Sequence, residues 1–379
     1  MSRWPGKYVI GLTGNIATGK SVVRRMLEHL GAYTIDADTL AHRAIAKGAP
    51  AYQALVETFG KWILDSNGEI DRERLGRLVF SDPEALKKLE AIIHPLVFQA
   101  IDTLVRRASQ SIVVIEAIKL LETELRYACD AIWVIHAPED IQVERLMRKR
   151  QMSREDALQR IKAQPPQEEK IAQANIAIQN RGSYEDLWKE VSQHWRAIPS
   201  HTDTMPIAAQ SVAQPGELTI MRGRPREAAR IAEAITRLSQ GRRKMTADDI
   251  MAAFGDKAFV LLNQGEHIVG IAGWQVENLV ARATDIYLEN GIDLHQGLEA
   301  LLNEIERASR ELQCEASLVF VNPSLAQHLQ IWKSLGYEPR LPETLGIQAW
   351  EEAARESRPS EPHVMFFKQL RQDRVLRPI

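Results

Sequence analysis

Short apolar, β-branched runs recur along the first half of the chain: "YVIGLT" at 8–13, "AYTI" at 32–35, "SIVVIE" at 111–116, "AIWVIH" at 131–136 and "IAIQN" at 176–180. Each run is continuous rather than alternating, as in a strand buried on both faces, and the segments between them carry helical periodicity. The pattern predicts an α/β unit built on a parallel five-stranded sheet. After the first run, Val22, Val23, Met26, Leu27 and Leu30 fall on one side of a helix that Gly31 can end. Residues 50–110 are largely helical in pattern, with a helix start at Ser81-Asp82-Pro83-Glu84 in which Pro83 takes the first turn. An insertion of this length in an α/β unit is a natural place to hold a second substrate.

Periodicity is lost over 197–217, "AIPSHTDTMPIAAQSVAQPGE", where Pro, Ser, Thr and Gln collect, and a linker is the simplest account. Beyond it, "LTIMRG", "AFVLLNQ", "HIVGIAGWQVE", "ATDIYLE" and "ASLVFVN" read as strands, mixed with amphipathic helices at about 224–239 and 295–312. That mixture indicates an α+β second unit. The 379 residues are too many for one ordinary core, which agrees with units at 1–198 and 217–379 joined by a linker at 199–216.

Composition narrows the partners. A formal charge of −2, with 45% apolar and 26% charged residues, gives no general attraction to nucleic acid or anionic lipid, so a charged partner must be met locally. Arg242-Arg243-Lys244, ahead of a helix-starting threonine, reads as a solvated loop. The two cysteines, Cys129 and Cys314, lie far apart without a His or Cys neighbour at metal-ligand spacing, and read as small core residues in a reducing compartment. No apolar run is long enough to cross a bilayer, and the first is broken by Gly11 and Gly14. The expectation is a cytoplasmic protein with no membrane or nucleic-acid partner.

The strongest local signal is Gly14-Asn15-Ile16-Ala17-Thr18-Gly19-Lys20-Ser21, which fits G-x-x-x-x-G-K-[ST], between a strand and a helix. Glycines there let backbone N–H groups turn inward on a polyphosphate, and the helix N-terminus adds favourable partial charge. Lys20 would reach the β- and γ-phosphates of a nucleotide, and the Ser21 hydroxyl would ligate Mg²⁺. The second strand ends in "IDADTLAH", putting Asp36 and Asp38 just beyond the sheet's C-terminal edge, where open α/β folds bind ligands. A carboxylate there can take a proton from an attacking hydroxyl or hold a metal's water. The alternative is an N-cap for the next helix with a solvated neighbour.

"GLTGNIATGKS", "IDADTLAH", "GAPAYQALVETFG", "DRERLGRLVFSDPEALKKLEAIIHPLV" and "QVERLMRKRQMSREDALQRIKAQPPQEEKIAQANIAIQNRGSYEDL" together resemble dephospho-coenzyme A kinase over about residues 7–196. The resemblance implies a phosphate-loop kinase with a helical substrate insertion and a lid. It would use ATP and Mg²⁺ to phosphorylate the ribose 3′-hydroxyl of dephospho-CoA, the last step of coenzyme A synthesis. It implies an ATP site at Gly14, Ala17, Thr18, Gly19, Lys20, Ser21, Val22 and Asn180, with Gly182 beside it. Asp38 falls at the general base, Lys20 and Arg145 at the catalytic cations, and Asp36, His94 and Glu116 on the acceptor side. Arg148, Lys149, Arg150 and Arg154 follow Arg145 in a basic helical hairpin, where Ser153 can cap the second helix.

Departures from the family are visible. Asn15 and Ala17 stand where it commonly has glycine, and "EAIKLLE" replaces a pattern close to D-x-P-L-L-F-E, with Glu116 for Asp, Ile118 for Pro and Lys119 for Leu. A nucleoside or nucleotide kinase of the same fold, or a nucleotide-binding module weak in catalysis, are the competing readings.

Residues 217–345 resemble, more faintly, a GNAT-type N-acetyltransferase domain, which implies acetyl-CoA or CoA as a ligand class. Only Gln296-Gly297 of the expected pyrophosphate loop survive in "NGIDLHQGLEALL", and Leu298 and Glu299 occupy positions that want small, uncharged residues. A fold kept for association or stability, a sensor of a CoA-type ligand and a working acetyltransferase are three roles compatible with that stretch, the first being the default.

Overall fold

A computed structural model describes residues 3–199, 217–277, 279–357 and 362–372. The expected linker therefore lies almost wholly outside the described residues, as do 373–379 and the side chains of Phe80, Lys149 and Arg150. In the first half β1 (Tyr8–Thr13), α1 (Lys20–His29), β2 (Tyr33–Asp36) and α2 (Ala37–Ala44) lead into the helical insertion α3 (Tyr52–Phe59), α4 (Arg72–Ser81) and α5 (Pro83–Arg107). The chain continues through β3 (Ile112–Glu116), α6 (Leu125–Ala128), β4 (Ala131–His136), α7 (Glu139–Arg150), α8 (Arg154–Lys162), α9 (Gln167–Ile171), β5 (Ile176–Gln179) and α10 (Tyr184–Arg196).

The strands form one sheet in the order β2-β3-β1-β4-β5, all neighbours parallel. Continuous apolar runs follow from packing on both faces. Ile10, Leu12 and Val114 point to α1 and α10 through Met26, Leu27, Val191 and Trp195, while Val9, Val113 and Ile115 point to α5 through Ile101 and Leu104. Asp82 caps α5 by accepting from Glu84 N, with Pro83 in the first turn, as the sequence predicts. Ser153 likewise caps α8 by accepting from Asp156 N at 3.1 Å.

The second half runs β6 (Leu218–Arg222), α11 (Ala228–Leu238), α12 (Ala247–Ala253), β7 (Ala258–Gln264), β8 (His267–Glu277), β9 (Val280–Leu288), α13 (Leu294–Glu311) and β10 (Ala316–Val321). It ends with α14 (Pro323–Ala326), α15 (Leu329–Ser334), β11 (Glu338–Pro339), α16 (Gln348–Glu356) and β12 (Val364–Gln369). Its sheet order is β11-β12-β10-β9-β8-β7-β6, antiparallel except for the β9–β10 pair. This is the expected α+β architecture. The strand β12, which no sequence pattern marked, inserts between β10 and β11; its "VMFF" run is too short for periodicity to separate strand from helix.

The halves share a core. One apolar cluster joins Ile35, Leu40 and Leu104 of the first half to Trp274, Leu301 and Val319 of the second. Arg43 on α2 pairs with Glu315 beside β10 at 2.7 Å, both nearly buried. The His29 ring stands edge-on to Phe254, its Nε2 3.3 Å from that residue's carbonyl. A narrow cleft there has Arg24, Glu28 and Asp36 on one wall and Val276, Glu277 and Leu279 on the other.

Candidate active site

Between β1 and α1 the chain turns through two positions that exclude a side chain. Gly14 (φ +153°) and Gly19 (φ +96°) would each bring a Cβ to 2.1 Å, from the Ile135 carbonyl oxygen and from Asn180 Nδ2 respectively. Ala17 adopts φ +58°, so the left-handed turn expected of glycine persists although alanine occupies it. Lys20 opens α1 and is buried; its Nζ donates to the Asn15 carbonyl at 3.1 Å, and Thr18 Oγ1 donates to the same oxygen at 3.0 Å. Burial lowers the pKa of Lys20, while the charges of Glu116, Asp38 and Asp36 oppose that shift.

Ser21 is exposed, and its Oγ donates to Glu116 Oε1 at 3.1 Å. The other carboxylate oxygen of Glu116 is 2.7 Å from Arg24 Nε, and this pair is buried. Glu116, expected on the acceptor side, is thus tied to the serine and to α1. Its register partners are Leu12 on β1 and Asp36 on β2.

The carboxylates of "IDAD" divide because β2 ends at Asp36 and Asp38 already lies in the first turn of α2. Asp36 caps α2, accepting from Thr39 N at 2.9 Å. Asp38, two residues on, accepts from Ile118 N through Oδ2 at 3.0 Å. Burial raises its pKa to about 6, helped by the negative charges of Asp36 and Glu116 and opposed by the Ile118 N–H and Lys20. Asp36, Asp38, Lys20 and Glu116 therefore meet in one electrostatic cluster at the ends of β1, β2 and β3.

The hairpin of α7 and α8 grips the loop from outside. Gln142 Nε2 donates to the Ile16 carbonyl at 2.7 Å, and Arg145 Nη1 donates to the Ala17 and Thr18 carbonyls at 3.1 and 3.2 Å. Arg145 Nη2 donates to Asn180 Oδ1 at 2.8 Å, and Asn180 Nδ2 returns to the Thr18 carbonyl at 2.9 Å. Burial lowers the Arg145 pKa, with Arg148 adding to the effect. Arg148 and Arg154 are exposed. Val22 turns its side chain toward Gly255 of the second half, and its N–H is taken by the Gly19 carbonyl at 3.1 Å. His94 is exposed on α5, one turn beyond Glu90, which pairs with Lys119 at 3.2 Å.

The sequence reading overlooked Arg24, Gln142 and Lys170. Arg24 follows Lys20 at i+4, a spacing that puts both on one helix face and could have exposed the pairing. Gln142 and Lys170 answer backbone carbonyls, which leave no trace in side-chain pattern.

In the second half, α13 begins with Asp293 accepting from Gln296 N at 2.8 Å, so its own carboxylate occupies the helix start. Gly297 is needed for packing: a Cβ there would lie 2.9 Å from Leu288. Leu298 is fully buried, and Glu299 faces His295 at 3.8 Å. Arg243 of the expected solvated loop instead turns inward, pairing with Asp285 beside Lys257.

No helix among the described residues is long and apolar enough to cross a membrane. The dephospho-CoA kinase (CoaE) family model matches residues 8–186. A dephospho-CoA kinase from Carboxydothermus hydrogenoformans is 42% identical over 194 residues, covering 50% of this chain and 94% of that protein. One from Aquifex aeolicus is 44% identical over 190 residues, covering 50% and 96%. A solved GNAT-family acetyltransferase from Staphylococcus aureus aligns at a TM-score of 0.33 and 14% identity, over 41% of this chain and 100% of its own. With such relatives spanned almost end to end by the half that carries the phosphate loop and its flanking acids, the chain belongs, through that half, to the dephospho-CoA kinase family.

Proposed function

We propose that the protein transfers the γ-phosphoryl group of ATP to the ribose 3′-hydroxyl of dephospho-CoA, giving coenzyme A and ADP. The observation that carries this reading is the meeting of Asp38 with buried Lys20 at the end of a glycine-shaped phosphate loop, in a chain that spans its kinase relatives. Loop N–H groups and the start of α1 bind the polyphosphate. Lys20 sits where it can follow charge onto the transferring group. Asp38 Oδ2 is engaged by Ile118 N, so Oδ1 receives the hydroxyl proton. The bond from the acceptor oxygen to the γ-phosphorus forms as the bond to the β,γ-bridging oxygen breaks, and ADP leaves.

Arg145 and Asn180 keep the loop in shape by holding its carbonyls outward, so that its N–H groups face the ligand. Ser21 Oγ and Glu116 Oε1, two hard oxygens 3.1 Å apart, suit Mg²⁺, which binds through few protein oxygens and substrate phosphates. When bound, that ion screens phosphate charge. Asp36, His94 and the exposed face of α5 are assigned to the acceptor side, with the 1–198 segment as the kinase unit.

For the segment 217–379 we propose a structural role, supported by the shared core, the buried Arg43–Glu315 pair and the self-capped start of α13. Calorimetry of the full chain with acetyl-CoA tests this: binding that persists when ADP and dephospho-CoA, which cannot react, fill the first half would overturn it.

The deciding experiment for the kinase assays ADP release against dephospho-CoA and nucleosides side by side. Dephospho-CoA should be the acceptor, and Lys20→Ala should abolish turnover. Preference for a nucleoside, or ATP binding without acceptor-dependent ADP release, would overturn the reading.

A further inference from the structure

Lys170 is a buried cation outside the residues assigned above, and its side-chain hydrogen bond leads back to the reacting centre. It sits on α9 at 7% exposure, and its Nζ donates to the Ile118 carbonyl at 3.0 Å. Thr13 Oγ1, at the end of β1, donates to the same oxygen at 3.1 Å. The N–H of Ile118 donates to Asp38 Oδ2 at 3.0 Å. One residue's backbone is therefore held from one side by a lysine and a threonine, and from the other side holds the acid.

That backbone has little else to fix it. Ile118 follows β3, and its side chain is 41% exposed, so packing does not set its position. Proline, the residue expected here from the family pattern, would have no N–H to offer Asp38. Isoleucine supplies one, and the donor is useful only where its peptide is kept in place.

The segment carrying Lys170 is itself anchored on the nucleotide side. Asn15 Nδ2 donates to the Pro165 carbonyl at 2.8 Å, and Ile16 N donates to Gln164 Oε1 at 2.7 Å. Gln167 bonds both backbone groups of Ala137, just past β4, at 3.1 and 3.0 Å. Residues 164–170 thus touch the phosphate loop at one end and the Ile118 carbonyl at the other.

We propose that Lys170 is a positioning residue for phosphoryl transfer: acting through the Ile118 backbone, it orients the Asp38 carboxylate toward the acceptor hydroxyl and links that orientation to the segment that grips the phosphate loop. The proposal rests on the reading of Asp38 as the base. Lys170 touches no substrate in this scheme, so its effect falls on kcat. A lysine placed to bind phosphate directly would act on ATP affinity instead.

The test measures kcat and separate KM values for ATP and dephospho-CoA on the full chain. Lys170→Met is expected to lower kcat by roughly tenfold or more while KM for ATP stays within about threefold, and Lys170→Arg, which keeps a donor and a charge, recovers most of the loss. Ile118→Pro deletes the N–H, and also fixes φ and restricts Ala117, and should reproduce the fall in kcat. Combined with Lys170→Met it should lower kcat little further, because both changes cut one relay. A raised KM for ATP with parental kcat in Lys170→Met overturns the proposal, as do multiplicative losses in the double variant. If Lys170→Met fails to fold, Lys170→Arg and Ile118→Pro decide the matter from the same two measurements. Asp38→Asn in the same assay separates the two ideas: near-parental turnover there sinks the base assignment itself, whereas its loss beside an unimpaired Lys170→Met sinks the relay alone.

Discussion

Replacing Asp38 by asparagine should make the protein harder to unfold and nearly inactive, and the two effects share one cause. Burial, with the charges of Asp36 and Glu116, raises the Asp38 pKa from 3.8 to about 6. Each unit is 1.36 kcal/mol of difference between protonation states, so the shift sets an upper bound of about 3 kcal/mol on the energy of holding the carboxylate ionised. Solvent reaching this half-buried side chain reduces that to about 1–2 kcal/mol.

The sign follows from proton binding. The folded state holds this proton more tightly than the unfolded chain does, so stability falls as pH rises from about 4 to about 6 and the penalty is constant above that. Asparagine removes the ionisation. At pH 7.5 Asp38→Asn is expected to gain about 1–2 kcal/mol, a rise in Tm of about 1–3 °C for a chain of 379 residues, and the gain should vanish near pH 4. Turnover, followed as ADP released in the presence of dephospho-CoA, should fall by about 100-fold or more, with ATP affinity by calorimetry within about threefold of the parent. In the parent, kcat/KM should drop about tenfold per unit below pH 6. Turnover within about twofold of the parent would refute the assignment of Asp38, and a fall in Tm at pH 7.5 would refute the energetic argument.

Two further outcomes test other parts of the structure. Ala17→Gly relieves a left-handed alanine (φ +58°) and should stabilise the protein by about 0.5–1 kcal/mol in thermal unfolding without weakening ATP binding; destabilisation would mean that the methyl group packs usefully. Arg43→Met leaves the Glu315 carboxylate buried without this partner and should cost about 3 kcal/mol, part of which Arg43→Met combined with Glu315→Gln recovers. A change under about 0.5 kcal/mol in the single variant would show that the pair does not hold the halves together.

The five core strands and the phosphate loop were legible because each is written locally: an apolar run, a glycine at a fixed offset, a lysine after it. The division of labour between Asp36 and Asp38 was half legible. The sequence offered one carboxylate as a helix cap and the other at the reacting centre, but not that Thr39 N claims the first and Ile118 N the second. The Arg24–Glu116 pair spans 92 positions and was invisible as a pair, although the spacing of Lys20 and Arg24 hinted at a shared face. Val22 carries a contact that its motif did not announce. Its place after the loop motif speaks of nucleotide, and its side chain also lies beside Gly255, more than 200 residues away in a half that shares no pattern with the first.

The apolar cluster running from Ile35 and Leu104 into Trp274 and Val319 makes the two sheets thermodynamic neighbours rather than passengers on one tether. Nucleotide captured at the first sheet draws population away from every state in which that common interior is open. The second sheet therefore gains resistance to heat and proteolysis from a ligand held at the first.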